Sequence, residues 1–114
     1  MVQSSILKTD KLAKYCPVEL TLNMIGGKYK ALILWQLTNG VLRFSALRRT
    51  IPSATAKMLT QQLRELETDG LITRKVYAVV PPKVEYSLTE LGKSIQPILK
   101  IMYDWGANYL TGHG

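Results

Sequence analysis

Between Pro52 and Leu88 the hydrophobic period of the chain changes once, and that change limits the folds open to it. From Thr55 to Asp69 the apolar residues Ala56, Leu59, Leu63 and Leu66 recur at about 100° per residue and form one helical stripe. Thr55 suits the N-cap of this helix, and Gly70 suits the position just past its end. From Ile72 to Val79 the period falls to two, with β-branched and aromatic residues, and Val84 to Leu88 supplies a returning strand. Pro81 and Pro82 cannot donate to a sheet ladder and mark the turn between the strands. A helix followed directly by a short hairpin needs other elements to cover both apolar faces.

The flanking segments provide them. Pro17 fits the first position of a helix on which Val18, Leu22 and Ile25 share a face, and Gly26-Gly27 end it. Lys28 to Leu37 reads as a second helix, apolar nearly all round at Ala31-Leu32-Ile33-Leu34-Trp35 and therefore the central buried one. Val41 to Arg43 fits a short strand. Ser45 is expected to cap a third helix with Phe44, Leu47 and Ile51 inward, closed by Pro52. Thr89 is expected to cap a last helix over residues 89–110, interrupted at Pro97. Residues 1–15 form a polar N-terminal arm. A helix pair joined by a tight turn and followed by a hairpin is the layout of a winged helix-turn-helix. The expected class is α+β, mainly α with a small β-hairpin wing, in a single domain over residues 1–114.

Fifteen Lys and Arg against eight Asp and Glu give a net charge of +7, which favours DNA, RNA or an anionic membrane surface as partner. A basic surface that binds nothing is the plain alternative, and the placement of the charges separates the two. Opposite the leucine stripe, the helix over 55–69 carries Lys57, Gln61 and Arg64, with Ser53 and Thr60 at the edges. Gln pairs bidentately with adenine and Arg with guanine, while Lys and Thr hold phosphates. The recognition candidates are therefore Thr55, Lys57, Thr60, Gln61 and Arg64. Arg43, Arg48 and Arg49 precede this helix, and Arg74, Lys75 and Lys83 lie on the hairpin, placed for contacts to the DNA backbone.

The last helix carries an apolar face that either folds back on its own domain or pairs with a second copy. Its candidate dimer contacts are Ile95, Ile98, Leu99, Met102, Trp105 and Tyr109. Pairing would set two recognition helices about 34 Å apart, one turn of DNA, to read a pseudo-palindrome. No stretch reaches the ~20 apolar residues of a membrane span, and the N-terminus lacks the apolar segment of a signal peptide, so the expected location is cytoplasmic. With one cysteine, Cys16, and one histidine, His113, neither a multi-cysteine zinc site nor a histidine-based triad can be assembled. No cofactor and no enzymatic activity are expected. A thiol enzyme built on Cys16 would lack both a histidine partner and a resolving cysteine.

Three segments carry a resemblance: CPVELTLNMIGGKYKALILWQL, LRFSALRRTIPSATAKMLTQQLRELETDGLITRKVY and VPPKVEYSLTELGKSI. In this order, from Cys16 to about Tyr109, the chain resembles the HxlR-type branch of MarR-like winged-helix regulators. Lys57-Met58-Leu59-Thr60-Gln61 and Pro82 to Thr89 are the most specific stretches. Tyr29 stands where that family commonly has Trp, Thr55 where Ser is usual, and Ala54 where a larger aliphatic residue is found. The resemblance implies a homodimeric transcription factor with its N- and C-terminal helices at the dimer interface. It places DNA recognition on Thr55 to Arg64 and wing contacts on the hairpin from Arg74 to Lys83.

In several members of that family a cysteine at this Cys-Pro position senses oxidants or electrophiles, and Cys16 matches the position. Independently, a helix N-terminus favours thiolate and Lys14 is near in sequence, while Glu19 opposes it. A small buried hydrophobe is the other reading of Cys16. Any disulfide has to be intermolecular. The expected partners are double-stranded DNA, a second copy of the chain and a small-molecule electrophile or oxidant. The competing function is a winged-helix protein-interaction module without DNA readout.

Overall fold

A computed structural model describes residues 16–113. The elements in order are α1 (Pro17–Ile25), α2 (Lys30–Leu37), β1 (Leu42–Arg43), α3 (Phe44–Thr50), α4 (Ala56–Thr68), β2 (Ile72–Tyr77), β3 (Lys83–Leu88), α5 (Glu90–Ser94) and α6 (Gln96–His113). The N-terminal arm at residues 1–15, Lys14 among them, lies outside the described residues.

The strands form one antiparallel sheet in the order β1-β3-β2, with Arg43 and Lys75 both opposite Glu85 and with Arg74 opposite Tyr86. Alternation along the strands puts Leu42, Ile72 and Tyr86 on the face that meets the helices. Ile33, Leu34 and Leu37 of α2, Leu47 of α3, and Leu59, Leu63 and Leu66 of α4 complete the core. The helix over 55–69 forms as its sequence dictates. The Thr55 hydroxyl accepts from Met58 N–H at 3.1 Å, so the N-cap is made. At the far end Gly70 takes φ +78°, and Leu71 N–H reaches back to the Leu66 carbonyl. This left-handed closure favours glycine because it has no Cβ to clash.

Four features differ from the sequence expectations. Ser45 does not cap α3. The helix starts at Phe44 with Arg43 as N-cap and no side-chain cap, because β1 runs straight into it. The last helix is two helices. Pro97 lacks an N–H, and its ring would clash with the Lys93 carbonyl in a continuous helix. The chain therefore ends α5 with a tight turn at Ile95 and restarts with Pro97 in the first turn of α6, where the missing donor costs nothing. Ala56 is exposed rather than part of the leucine stripe, since it stands in the first turn, before α4 reaches the core. Finally, α2 is not buried on every side: Leu32 is 47% exposed, whereas Lys30 is buried.

Candidate nucleic-acid interface

Residues 51–55 link α3 to α4 in a tight turn. Ile51 and Ala54 are buried in it, and Ala54 N–H donates to the Ile51 carbonyl at 3.1 Å. The Tyr29 hydroxyl donates to the Ser53 carbonyl at 3.1 Å and pins the turn to the start of α2. With Leu59, Leu63 and Leu66 inward, α4 leaves Lys57, Gln61 and Arg64 exposed and Thr60 half-buried. Thr55 is exposed too, and its hydroxyl oxygen is engaged by the cap.

Two contacts that sequence reasoning missed hold this helix from below. Tyr29 N–H donates to Gln62 Oε1 at 3.1 Å, and Lys30 Nζ lies 2.7 Å from Glu65 Oε1. Only the Lys at the head of an apolar helix hinted at them, because a buried ammonium requires an acceptor. The hydrogen bond from Lys30 and its positive charge hold the Glu65 carboxyl below the ordinary carboxylate range. Glu65, an acid on the same helix as Lys57, Gln61 and Arg64, is thus paired from inside the subunit.

The wing distributes its cations over two faces. Arg74 lies on the face shared with Tyr86 and lines a cleft with Thr60, Leu63, Arg64 and Glu67. Two guanidinium-bearing residues, one from α4 and one from the wing, therefore flank one groove. Arg43, Lys75 and Lys83 belong to the opposite face, around Glu85. There Lys83 Nζ is 3.3 Å from Glu85 Oε2 and 4.7 Å from the Tyr77 ring centroid, and the Tyr77 hydroxyl donates to Glu85 Oε1 at 2.8 Å. The Tyr77 hydrogen bond, and after it Lys83 and Arg43, hold the Glu85 carboxyl low. The Lys83 charge is thus shared, which the sequence did not reveal. Lys75 remains exposed, 5.0 Å from the Tyr77 ring. Arg48 and Arg49 are exposed in the last turn of α3, where cations complement the helix dipole.

Cys16 is exposed at the N-cap of α1, where its carbonyl accepts from Leu20 N–H at 3.0 Å. It is not a buried hydrophobe within the subunit. Along α6, Ile98, Met102, Trp105 and Tyr109 are exposed. Leu99 instead belongs to the subunit's own core, and Ile95 packs against that core. Trp35 of α2 stacks on Tyr103, with ring centroids 5.1 Å apart, and fixes α6 to the domain. Among the described residues no helix is long and apolar enough to cross a membrane.

This arrangement matches known proteins closely. The family model described as HxlR-like helix-turn-helix fits residues 24–113. The chain belongs to the HxlR-like helix-turn-helix family. It is a helix-turn-helix transcriptional regulator, and its family is one of DNA-binding regulators rather than a class of enzymes. The HTH-type transcriptional regulator YdeP of Bacillus subtilis (strain 168) is 55% identical over 94 residues, which are 82% of this chain and 73% of that protein. The crystal structure of the HTH-type regulator ytcD superposes with a TM-score of 0.81 at 56% identity, over 85% of this chain and 99% of that one. The redox regulator HypR in its oxidized form superposes with a TM-score of 0.79 at 54% identity, over 82% and 96%.

Proposed function

We propose that this HxlR-like regulator reads a pseudo-palindromic duplex operator as a homodimer, with α4 in the major groove of each half-site. One observation carries the reading: Lys57, Gln61 and Arg64 are exposed on the side of α4 opposite the buried leucines. Gln61 and Arg64 contact base edges, and Lys57, Thr55 and Thr60 contact the backbone at the groove edge. Arg74, Lys75, Arg43, Arg48 and Arg49 neutralise phosphates, and Lys83 contributes less because Glu85 shares its charge. Ile98, Met102, Trp105 and Tyr109 of α6 meet the second copy. The site of action is the cytoplasm.

Cys16 provides the response to an oxidant or electrophile. Its exposure supports this reading, as does the likeness to HypR, which is named as a redox regulator. With one cysteine per chain, oxidation joins Cys16 to the other subunit or to a small thiol.

Binding of genomic duplex fragments to the purified protein tests the proposal. Gln61→Ala should relax sequence preference. Arg74→Ala should weaken all duplexes alike and reduce the salt slope by about one unit. Affinity that does not change with salt would refute the electrostatic grip. Diamide should change operator affinity for the native chain and not for Cys16→Ser; equal responses remove Cys16 from the mechanism.

A further inference from the structure

Glu65 stands one helical turn after Gln61 and is contacted from two sides. On one side Lys30, its side chain 6% exposed, places Nζ 2.7 Å from Oε1. On the other, Gln61 Nε2 lies 3.4 Å from Oε2. An ammonium only donates and a carboxylate only accepts, so the polarity of this chain of contacts is dictated by chemistry. Lys30 keeps Glu65 charged and oriented, and the carboxylate admits only the NH2 end of the Gln61 amide. The carbonyl Oε1 and the second N–H of Gln61 are left facing away from Glu65. One acceptor beside one donor is the pattern that matches adenine N6–H and N7 in the major groove.

We propose that Glu65, held by Lys30, is a specificity-determining positioning residue: it sets which end of the Gln61 amide faces the DNA. This rests on the reading of Gln61 as a base contact. It assigns a function to an acid that otherwise has no place on a surface meant for phosphates. Glu65 is half-buried and lines one surface groove with Ala56, Lys57, Thr60 and Arg64, which puts the relay at the interface rather than behind it.

The chemistry predicts an inversion, not merely a loss. With glutamine at position 65, Lys30 captures the new side-chain carbonyl, because it can only donate. The NH2 end of that glutamine then turns to Gln61 and can only donate, so it pairs with the Gln61 carbonyl oxygen. The Gln61 NH2 is forced outward and offers donors alone, which suit the acceptor groups of guanine or thymine.

The test is selection of a randomised duplex library by the full-length native protein and its variants, followed by sequencing of the bound fraction. Gln61→Ala should lower adenine preference at one position of each half-site by about tenfold. Glu65→Gln should lower it at that same position by about tenfold and raise guanine or thymine there, with other positions unchanged. Glu65→Met, of similar length and without an acceptor, should reduce the preference without inverting it, and it serves if Glu65→Gln does not fold. Adenine preference that survives the Glu65 variants but not Gln61→Ala overturns the relay and leaves the base contact standing. A preference untouched by Gln61→Ala overturns both.

Discussion

At the scale of single residues, two acids beside the basic residues of α4 and the wing are held by partners within the fold. Glu65 is bound by Lys30 of α2, and Glu85 by Tyr77 across the hairpin and by Lys83 two residues before it on the same strand. Lys57, Gln61 and Arg64 were legible in the sequence, because helical period alone decides which side of α4 they occupy. Lys30 as the partner of Glu65 and Tyr77 as the partner of Glu85 were not. They depend on how α2 sits beneath α4 and on strand register, which local pattern does not contain. The Lys30 contact has a consequence for pH. The folded-state pKa of Glu65 lies below its ordinary value of 4.5, so its contribution to stability is complete above that value. The contribution is lost as pH falls through the lower folded value. The melting temperature of Glu65→Gln should therefore be below that of the native chain at pH 7, and the gap should narrow steadily towards pH 3. A gap that stays constant over that range would mean the ion pair does not stabilise the fold.

Among the elements, α4 and the hairpin were readable because each keeps one period between clear stops. The ends of the chain's other helices were less so. Ser45 looked like a cap, but β1 leaves no room for one, and Pro97 was seen as an interruption without revealing that the helix restarts. Where α5 meets the turn after α4, the contact is closer than any sequence pattern suggests. The Thr89 hydroxyl accepts from Gly92 N–H at 3.0 Å and donates to the Gly70 carbonyl, and Thr89 N–H donates to the Leu71 carbonyl at 3.1 Å. A Cβ on Gly92 would lie 2.0 Å from the Leu71 carbonyl oxygen. That atom is backbone already held by Thr89, so it cannot yield without moving the start of the wing. Gly92→Ala should cost about 1–3 kcal/mol in urea denaturation. Gly106→Ala, in α6 with nothing within 4 Å of the added atom, should be neutral or stabilising by up to ~1 kcal/mol. Equal effects at the two positions would show that helix propensity, not crowding at Leu71, governs Gly92.

For the whole molecule, the described residues form a flat body of 45 × 45 × 23 Å, with α6 anchored by Leu99 and the Trp35–Tyr103 stack. Beyond that anchor α6 carries Trp105 and Leu110, each 70% exposed, together with Ile98, Ile101 and Met102. Large apolar side chains grouped on one element lose solvation free energy unless another surface covers them. In the proposed dimer a second copy is the cover that also serves recognition, since a symmetric pair would place two α4 helices against two half-sites. Linking the half-sites makes the second binding event intramolecular, at an effective concentration that multiplies affinity by roughly a hundredfold or more. Trp105→Glu puts a charge at the exposed heart of this face without touching the subunit's core. Sedimentation velocity should show this variant shifting to monomer with its melting cooperativity retained. Its affinity for a duplex carrying both half-sites should fall by roughly a hundredfold. Its affinity for a duplex with a single half-site should change little, because α4 and the wing are untouched. If Trp105→Glu remains dimeric and binds the paired half-sites as tightly as the native chain, the copies meet through another surface and α6 has a different role.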